Sequence, residues 1–454
     1  MHKKEIKNSI KIISRREFIK GAAAVAAFTV VPRHVLGGTG FTPPSEKLNI
    51  ACIGAGGMGG YDIEGLVSEN FVAFCDVDDR RAAGKYNKYP NAPKYRDFRV
   101  MLEKEAKNID GVTVSIPDHM HAVAAMMAIK MGKHVYCQKP LAHDIYEVRQ
   151  LTEAARKYNV VTQMGIQVHA MEAVKLLVEM IKSGMIGKVR EVHLWSNSPL
   201  WPQGIERPSD TPPVPKELDW DLWLGTAPNR PYHPAYVPAA WRGWKDFGTG
   251  ALGDMGCHIF DPACWALDLT CPLSVEAYNS NFIPAMKMEP VSLETYPRAS
   301  IVHYEFAARG DLPAVKLVWY NGGMKPLRPA ELEEGRELPK QGGLYFGEKG
   351  TILAAHEAGA RLIPESKMKD FKKPESILPR DVDHYQDWVR GCKGGAKPLA
   401  NFDYAGPLTE MVLLGNVSTL SGKRLFWDGP NMKVTNVPEA NAFLKRQYRQ
   451  GWTL

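Results

Sequence analysis

The chain has 454 residues, 44% of them apolar and 24% charged, with seven cysteines and a formal net charge of +7. That length suits two domains with sizeable cores, and the balance of apolar and charged residues is that of a globular chain rather than a disordered one. Residues 1–36 hold eight lysines and arginines against two acids, so the remainder is close to neutral and no basic surface argues for nucleic acid or an anionic membrane as partner.

The first element is a leader. Ser14-Arg15-Arg16-Glu17-Phe18-Ile19-Lys20 precedes an alanine-rich apolar run of eleven residues, Gly21 to Val31. A basic start, a short apolar run and a polar exit are the parts of a secretory signal. A membrane-spanning helix needs about 20 apolar residues, so no stable span is expected here. The stretch resembles a twin-arginine signal, which implies folding in the cytoplasm and then export to the periplasm or beyond. A short amphipathic helix or a disordered tail is the other reading. No small-x-small cleavage site stands before Pro43, which leaves removal of the segment (residues 1–36) open. A Gly/Pro-rich linker follows at 37–46.

From residue 47 the pattern becomes regular. Strand-like runs at 48–53, 71–75, 111–116, 134–137 and 160–164 alternate with helical stretches that include 122–130 and 145–157. Such alternation implies a parallel sheet covered on both faces. We expect this first α/β domain to occupy 47–165. A helix over 171–184 opens a second domain, 166–425, in which "REVHLWSN", "ASIVHYEF" and "AVKLVWYN" alternate as antiparallel strands do. Residues 426–454 form a C-terminal extension. Cys52, Cys75 and Cys137 fall in apolar runs and read as buried small hydrophobes. No disulfide framework is expected; Cys264 and Cys271 could pair, which spacing alone does not show.

"NIACIGAGGMGG" (49–60) places Gly54-x-Gly56-x-x-Gly59 after a strand and before a helix. Gly54 permits a tight turn, Gly56 lets the backbone approach a pyrophosphate, and Gly59 allows close helix–strand packing. The phosphates would rest on N–H groups at the helix start, beside Gly57 and Met58. Asp76 ends the next strand, twenty-two residues after Gly54, where a carboxylate accepts ribose hydroxyls and favours NAD. Arg80 and Arg81 lie just behind it and point to NADP as the alternative.

"VSIPDHMHAVAAMMAIKMGKHVYCQKPLA" (114–142) comes next. Pro117 closes a strand, and His119 and His121 open the following helix. Lys139-Pro140 ends another strand, at the carboxyl end where doubly wound sheets bind ligands. Pro117, His121, Gln138 and Lys139 are the candidate cofactor contacts here, although a lone Lys-Pro also suits a surface turn. In "FGTGALGDMGCHIFDPACWAL" (247–267), Asp254 is the candidate helix N-cap. Asp254, His258, Asp261 and Trp265 then follow on one helix face. A carboxylate four residues from a histidine can orient it for acid/base work near neutral pH. A capping Asp beside a satisfied core His, or a shared metal ion, are the competing readings; no metal is assigned.

Together "GAGGMG", "PDHMHAVAAMMAIKMGKHVYCQKPLA", "IKSGMIGKVREV" and "GALGDMGCHIFD" resemble the Gfo/Idh/MocA family (glucose–fructose oxidoreductase, inositol dehydrogenase, rhizopine catabolism) over about residues 47–425. "CQKP", "DFGTGALGDMGCHI", "GTAPNRPY" and "NFDYAGPLTE" are most similar to its exported members. The resemblance implies a Rossmann domain followed by an α+β domain with an open, mainly antiparallel sheet, which commonly mediates a homodimer or homotetramer. It also implies catalytic roles. Lys139 would stabilise a developing oxyanion, His258 would take a hydroxyl proton, and Asp254 would orient His258. Gln138 departs from the family's Glu-Lys-Pro motif and removes a charge beside the cofactor.

All eleven tryptophans lie beyond residue 194, six of them between Trp195 and Trp244. Aromatic faces suit the C–H faces of a sugar, which makes Trp241, Arg242, Trp244 and Asp246 candidate substrate contacts; core packing plus an ion pair is the alternative. An exported enzyme meets little free dinucleotide, so the cofactor would be tightly bound and restored within each cycle. The expected activity is hydride transfer between a sugar or glycoside hydroxyl carbon and NAD(P). The runner-up is a redox-neutral glycosidase working through a transient keto-sugar.

Overall fold

The computed structural model describes residues 43, 46–280, 294–380 and 383–454. The leader and most of the 37–46 linker lie outside the described residues. Six short strands, β1 (Asn49–Ile53), β2 (Asn70–Cys75), β3 (Lys94–Tyr95), β4 (Gly111–Val114), β5 (His134–Gln138) and β6 (Thr162–Gly165), form one sheet in the order β3-β2-β1-β4-β5-β6. Every pairing in it is parallel. That order, reversing beside β1, is the doubly wound arrangement of a Rossmann fold. Helices α1 (Met58–Gly65), α2 (Asp79–Lys88), α3 (Phe98–Lys104), α4 (Asp118–Lys130) and α5 (Ile145–Lys157) connect the strands. The β4 residues are all buried, as a strand covered on both faces requires. α4 is buried along nearly its whole length, and its alanines let it lie close to its neighbours. The short strand β3 has no counterpart in the sequence reading, whereas α4 starts where His119 and His121 are expected to open a helix.

The second half builds nine strands: β7 (Val189–Trp195), β8 (Ser274–Asn279), β9 (Ser300–Phe306), β10 (Val315–Asn321), β11 (Gly342–Gly347), β12 (Gly350–Ala355), β13 (Gly359–Ile363), β14 (Leu425–Asp428) and β15 (Lys433–Val434). Their order is β13-β12-β11-β7-β10-β9-β8-β14-β15, antiparallel except where β7 meets β10. The helices here are α6 (Glu172–Lys182), α7 (Trp220–Leu224), α8 (Gly250–Leu267), α9 (His384–Cys392) and α10 (Phe402–Ser421). Phe260 of α8 sets its ring edge against Tyr304 and Trp319, 5.5 Å from each, which seats α8 on the sheet.

The later chain does not stay with the second sheet. Tyr385 and Trp388 of α9 pack on Tyr136 of β5, at 5.5 and 5.9 Å. Arg149 of α5 pairs with Glu410 of α10 at 2.7 Å. β14 and β15 form the edge of the second sheet, and the chain beyond them returns to α5, where Tyr146 N–H donates to Leu444 O at 3.0 Å. The expected break at residue 425 therefore falls inside a sheet edge. Cys264 and Cys271 are both free thiols, as are the buried Cys52, Cys75 and Cys137. Among the described residues no helix is long and apolar enough to cross a membrane.

Candidate active site

A cavity of about 340 Å³ lies along the carboxyl ends of β1, β2, β4 and β5. Gly54, Gly56, Gly57, Met58 and Asp76 line one part of it; Pro117, Gln138, Lys139, Trp241 and Arg242 line another.

The glycine loop has little room for anything larger. Gly54 has φ +90°, and a Cβ there would stand 2.2 Å from Ser115 O. A Cβ at Gly59 would stand 2.2 Å from Gly54 O, so Gly59 serves helix–strand packing and does not line the cavity. Gly57 precedes α1, and no side chain caps that helix start. Its free N–H groups and the helix dipole favour an anion. Asp76 accepts from Ala55 N and Gly56 N at 2.9 and 3.1 Å, and from Asp78 N at 3.0 Å. Burial raises its carboxyl above the usual range, against the pull of those N–H groups. Arg80 is held by Asp78 at 3.1 Å, while Arg81 lines the cavity beside Gly57. The tight cradle, the uncapped helix start and the carboxylate fit a dinucleotide pyrophosphate and its ribose.

Gln138 lines the cavity, but its amide N–H groups are spent on Asp62 of α1, at 2.9 and 3.0 Å. Ser115 Oγ and Tyr385 Oη also donate to Asp62, at 2.6 and 3.0 Å. Burial pushes the Asp62 carboxyl up to about 6 despite these donors. The amide at 138 thus satisfies a buried acid that a carboxylate there would repel. His121 is not a cofactor contact: Nδ1 faces Pro140 O and Nε2 faces Ile116 O, both at 2.7 Å, and it ties the ends of β4 and β5 together. His119 is likewise clamped between Phe247 O and Trp223 O, and burial with Arg446 nearby drives it down to about 3.

At the other end, Lys139 Nζ donates to Asp254 Oδ1 at 2.6 Å and Asp254 O at 2.8 Å. Arg242 Nε donates to the same Oδ1 at 3.0 Å. Burial raises the Asp254 carboxyl, but Lys139 and Arg242 outweigh it and bring it down to about 2. Two expectations are corrected here. α8 begins at Gly250, so Asp254 sits one turn inside the helix and is not its N-cap. Its carboxylate is taken by two cations rather than by His258, because charge-assisted bonds outcompete a neutral imidazole. His258 Nδ1 is buried with no hydrogen-bond partner. Burial, then Lys139 and His356, hold His258 well below its ordinary pKa, so it is neutral. It lines a separate small recess with His356 and Tyr345, and neither His258 nor Asp254 is among the residues that line the larger cavity.

Of the substrate candidates, Trp241 and Arg242 line the cavity, with the Arg242 guanidinium 4.3 Å from the Trp241 ring. Trp244 and Asp246 do not. Trp244 is fully buried and donates to Ala235 O at 3.0 Å. Asp246 pairs with the buried Arg230. Sequence reasoning passed over Asp62, Asp118, Trp223 and Trp452. Asp118, which lines the cavity and accepts from Thr249 Oγ1 at 2.7 Å, directly follows Pro117 and was open to notice. It also passed over His169, which pairs with Asp261 at 2.8 Å and stacks on Trp265 at 3.9 Å. Among the described residues no cluster of three His, Cys, Asp or Glu is placed to hold a metal ion.

Residues 48–166 match the family described as "Oxidoreductase family, NAD-binding Rossmann fold", and residues 171–285 match its "C-terminal alpha/beta domain". The chain belongs to the Gfo/Idh/MocA oxidoreductase family. The levoglucosan dehydrogenase of Pseudarthrobacter phenanthrenivorans is 24% identical over 261 residues, covering 54% of this chain and 57% of its own length. The D-glucoside 3-dehydrogenase of Escherichia coli is 26% identical over 259 residues, covering 54% and 60%. This chain therefore spans about three fifths of the length of these Gfo/Idh/MocA relatives. In fold it is similar to the WlbA dehydrogenase of Bordetella pertussis, solved with NADH and UDP-GlcNAcA: TM-score 0.59, 16% identity, covering 84% of this chain and 99% of that one.

Proposed function

We propose that this protein is an NAD-dependent oxidoreductase acting on a hydroxyl-bearing carbon of a sugar or glycoside. The observation that carries the reading is Lys139, which lines the end of the cavity and is held from behind by an ionised Asp254, with the unpartnered Nδ1 of a neutral His258 one helical turn further along α8. Sugar dehydrogenases among the relatives support the substrate class.

NAD, when bound, supplies the hydride acceptor. Gly56, Gly57 and the start of α1 would hold its pyrophosphate, and Asp76 its adenosine ribose. Lys139 uses two of its three N–H donors on Asp254, leaving the third for the substrate oxygen. That donor stabilises negative charge as it develops on the oxygen. His258, being neutral, is ready to accept the hydroxyl proton. Asp254 fixes Lys139 and offsets its charge, and Arg242 fixes Asp254. Trp241 offers an apolar face beside the reacting carbon.

The chain is also proposed to be exported through the twin-arginine route with its cofactor already loaded, on the strength of residues 14–31. Replacing Arg15 and Arg16 by lysine should then leave the protein in the cytoplasm. A homodimer or homotetramer is proposed through the outer face of the second sheet, where Tyr278 and His303 are exposed beside half-buried His193 and Tyr320; light scattering of the purified protein checks it.

The test of function is incubation of the purified protein with NAD and a methyl glucoside. Reduced nicotinamide with a keto-sugar supports the reading. Released methanol with no net change in cofactor supports the redox-neutral hydrolase instead.

A further inference from the structure

The last residues of the chain lie outside both family matches, yet they reach the cavity. Trp452 lines it together with Val77, Asp97 and Phe98, directly beyond Asp76. If Asp76 takes the ribose hydroxyls, the group that lies past it is the base on that ribose. The Trp452 ring centre is 6.1 Å from that of Phe98. The Arg99 guanidinium lies 4.2 Å from the Trp452 ring centre and is itself held by Asp97 at 2.6 and 3.0 Å. Arg99 is not among the cavity-lining residues, so it backs the indole from outside and leaves the ring free toward the cavity.

The segment that carries this ring is fastened along its length. Arg446 N–H donates to Asp144 Oδ2 at 3.1 Å, and the Arg446 guanidinium to Glu147 at 2.8 Å. Tyr448 Oη donates to Glu147 at 2.7 Å. Arg449 Nε donates to Gly225 O at 2.9 Å, and Lys130 Nζ to Leu454 O at 3.1 Å. The start of the strap therefore grips α5, its middle grips the segment after α7, and its last residue is held by α4. That segment's neighbours Leu218, Leu222 and Trp223 wall the same cavity. Asp219 N–H also donates to Val77 O at 2.9 Å.

We propose that Trp452 is a cofactor-binding residue, its indole forming the wall on which the adenine of the dinucleotide lies, with residues 444–454 the strap that holds it there. The proposal rests on reading the cavity as a dinucleotide site. It gives that site a means of retaining its cofactor that the glycine loop alone does not supply. Base–aromatic stacking is sequence-tolerant and strong enough to matter, so its loss is measurable as affinity.

Calorimetric titration of NAD, ADP-ribose and nicotinamide mononucleotide into the full chain, freed beforehand of any co-purified nucleotide, tests it. Trp452→Leu keeps apolar bulk but removes the aromatic face; Trp452→Phe keeps a face. The leucine variant should bind NAD and ADP-ribose roughly 5- to 100-fold more weakly, the phenylalanine variant should recover most of that, and the mononucleotide should bind all three proteins alike. Unchanged ADP-ribose affinity in the leucine variant, or an equal loss for the mononucleotide, overturns the role of Trp452 while leaving the dinucleotide site in place. A wild-type protein that binds neither NAD nor ADP-ribose overturns the site reading, and this proposal with it.

Discussion

The two ends of the cavity are built in different ways. At the Gly54–Asp76 end a single strand–loop–helix–strand unit supplies the cradle, the uncapped helix start and the carboxylate, and its backbone N–H groups do most of the work. At the Lys139–Asp254 end the parts come from distant segments. Lys139 closes β5, Arg242 sits before α8, Asp254 lies inside α8, and Gln138 reaches back to Asp62 with Tyr385 from α9 on the far side. The first end is built mainly from backbone, so substitutions there should cost cofactor affinity rather than turnover. The second is a buried charge network in which each member answers for its neighbour, so single substitutions there should cost more and cost it in a different currency.

Lys139→Ala sets the upper mark. It should lower turnover at least about 10²–10³-fold, as loss of one oriented donor to a developing oxyanion does, while NAD affinity measured by titration stays within a few-fold. A comparable loss of affinity would erase the distinction between the two ends. Gln138→Glu should follow. It sets a second carboxylate against Asp62 and should destabilise the fold by about 3–5 kcal/mol in chemical denaturation, as a buried charge left without compensation does. The pH dependence has a definite sign. The folded pKa of Asp62, at about 6, is raised above its unfolded value, so its contribution to stability is present below the ordinary carboxylate range and lost as pH rises through about 6. The Gln138→Glu penalty should therefore grow between pH 4 and pH 8.

At the other end, Asp76→Ala should weaken NAD binding by roughly 10- to 100-fold, the loss of a charged hydrogen-bond acceptor, and leave turnover at saturating NAD nearly unchanged. Trp241→Ala should raise the KM for a glucoside roughly 2- to 10-fold. Trp244→Phe should leave KM alone and cost roughly 1–2 kcal/mol of stability, because its ring is core. The smallest effect is a shape. With His258 held well below its ordinary value, kcat/KM for oxidation should show no acid limb near pH 6.5, where an unperturbed histidine would place one.

The difference between the ends also explains what the sequence disclosed. Gly54, Gly56, Gly57, Met58 and Asp76 were legible because their spacing, together with a strand and a helix, encodes the turn and the pyrophosphate seat locally. Lys139 and Asp254 were legible as residues, through the motifs around them, but not as partners of each other: helical spacing paired Asp254 with His258, while the folded chain gives it to Lys139 and Arg242. Trp244 and Trp241 stand three residues apart in one aromatic stretch, and only packing separates the core ring from the cavity ring. Gln138 looked like a lost charge because its counterpart, Asp62, lies 76 residues away. Trp452 was hidden for the same reason in stronger form, since nothing in the local pattern of a C-terminal tail says that it folds back onto α4 and α5.

The most direct test of the account is a paired experiment on wild type and Lys139→Ala: free each of co-purified nucleotide, titrate NAD into it, then add a methyl glucoside and follow nicotinamide reduction. The account predicts that both proteins bind NAD with similar affinity and only the wild type reduces it. Reduction by the alanine variant at the wild-type rate, or no NAD binding by either protein, would contradict it.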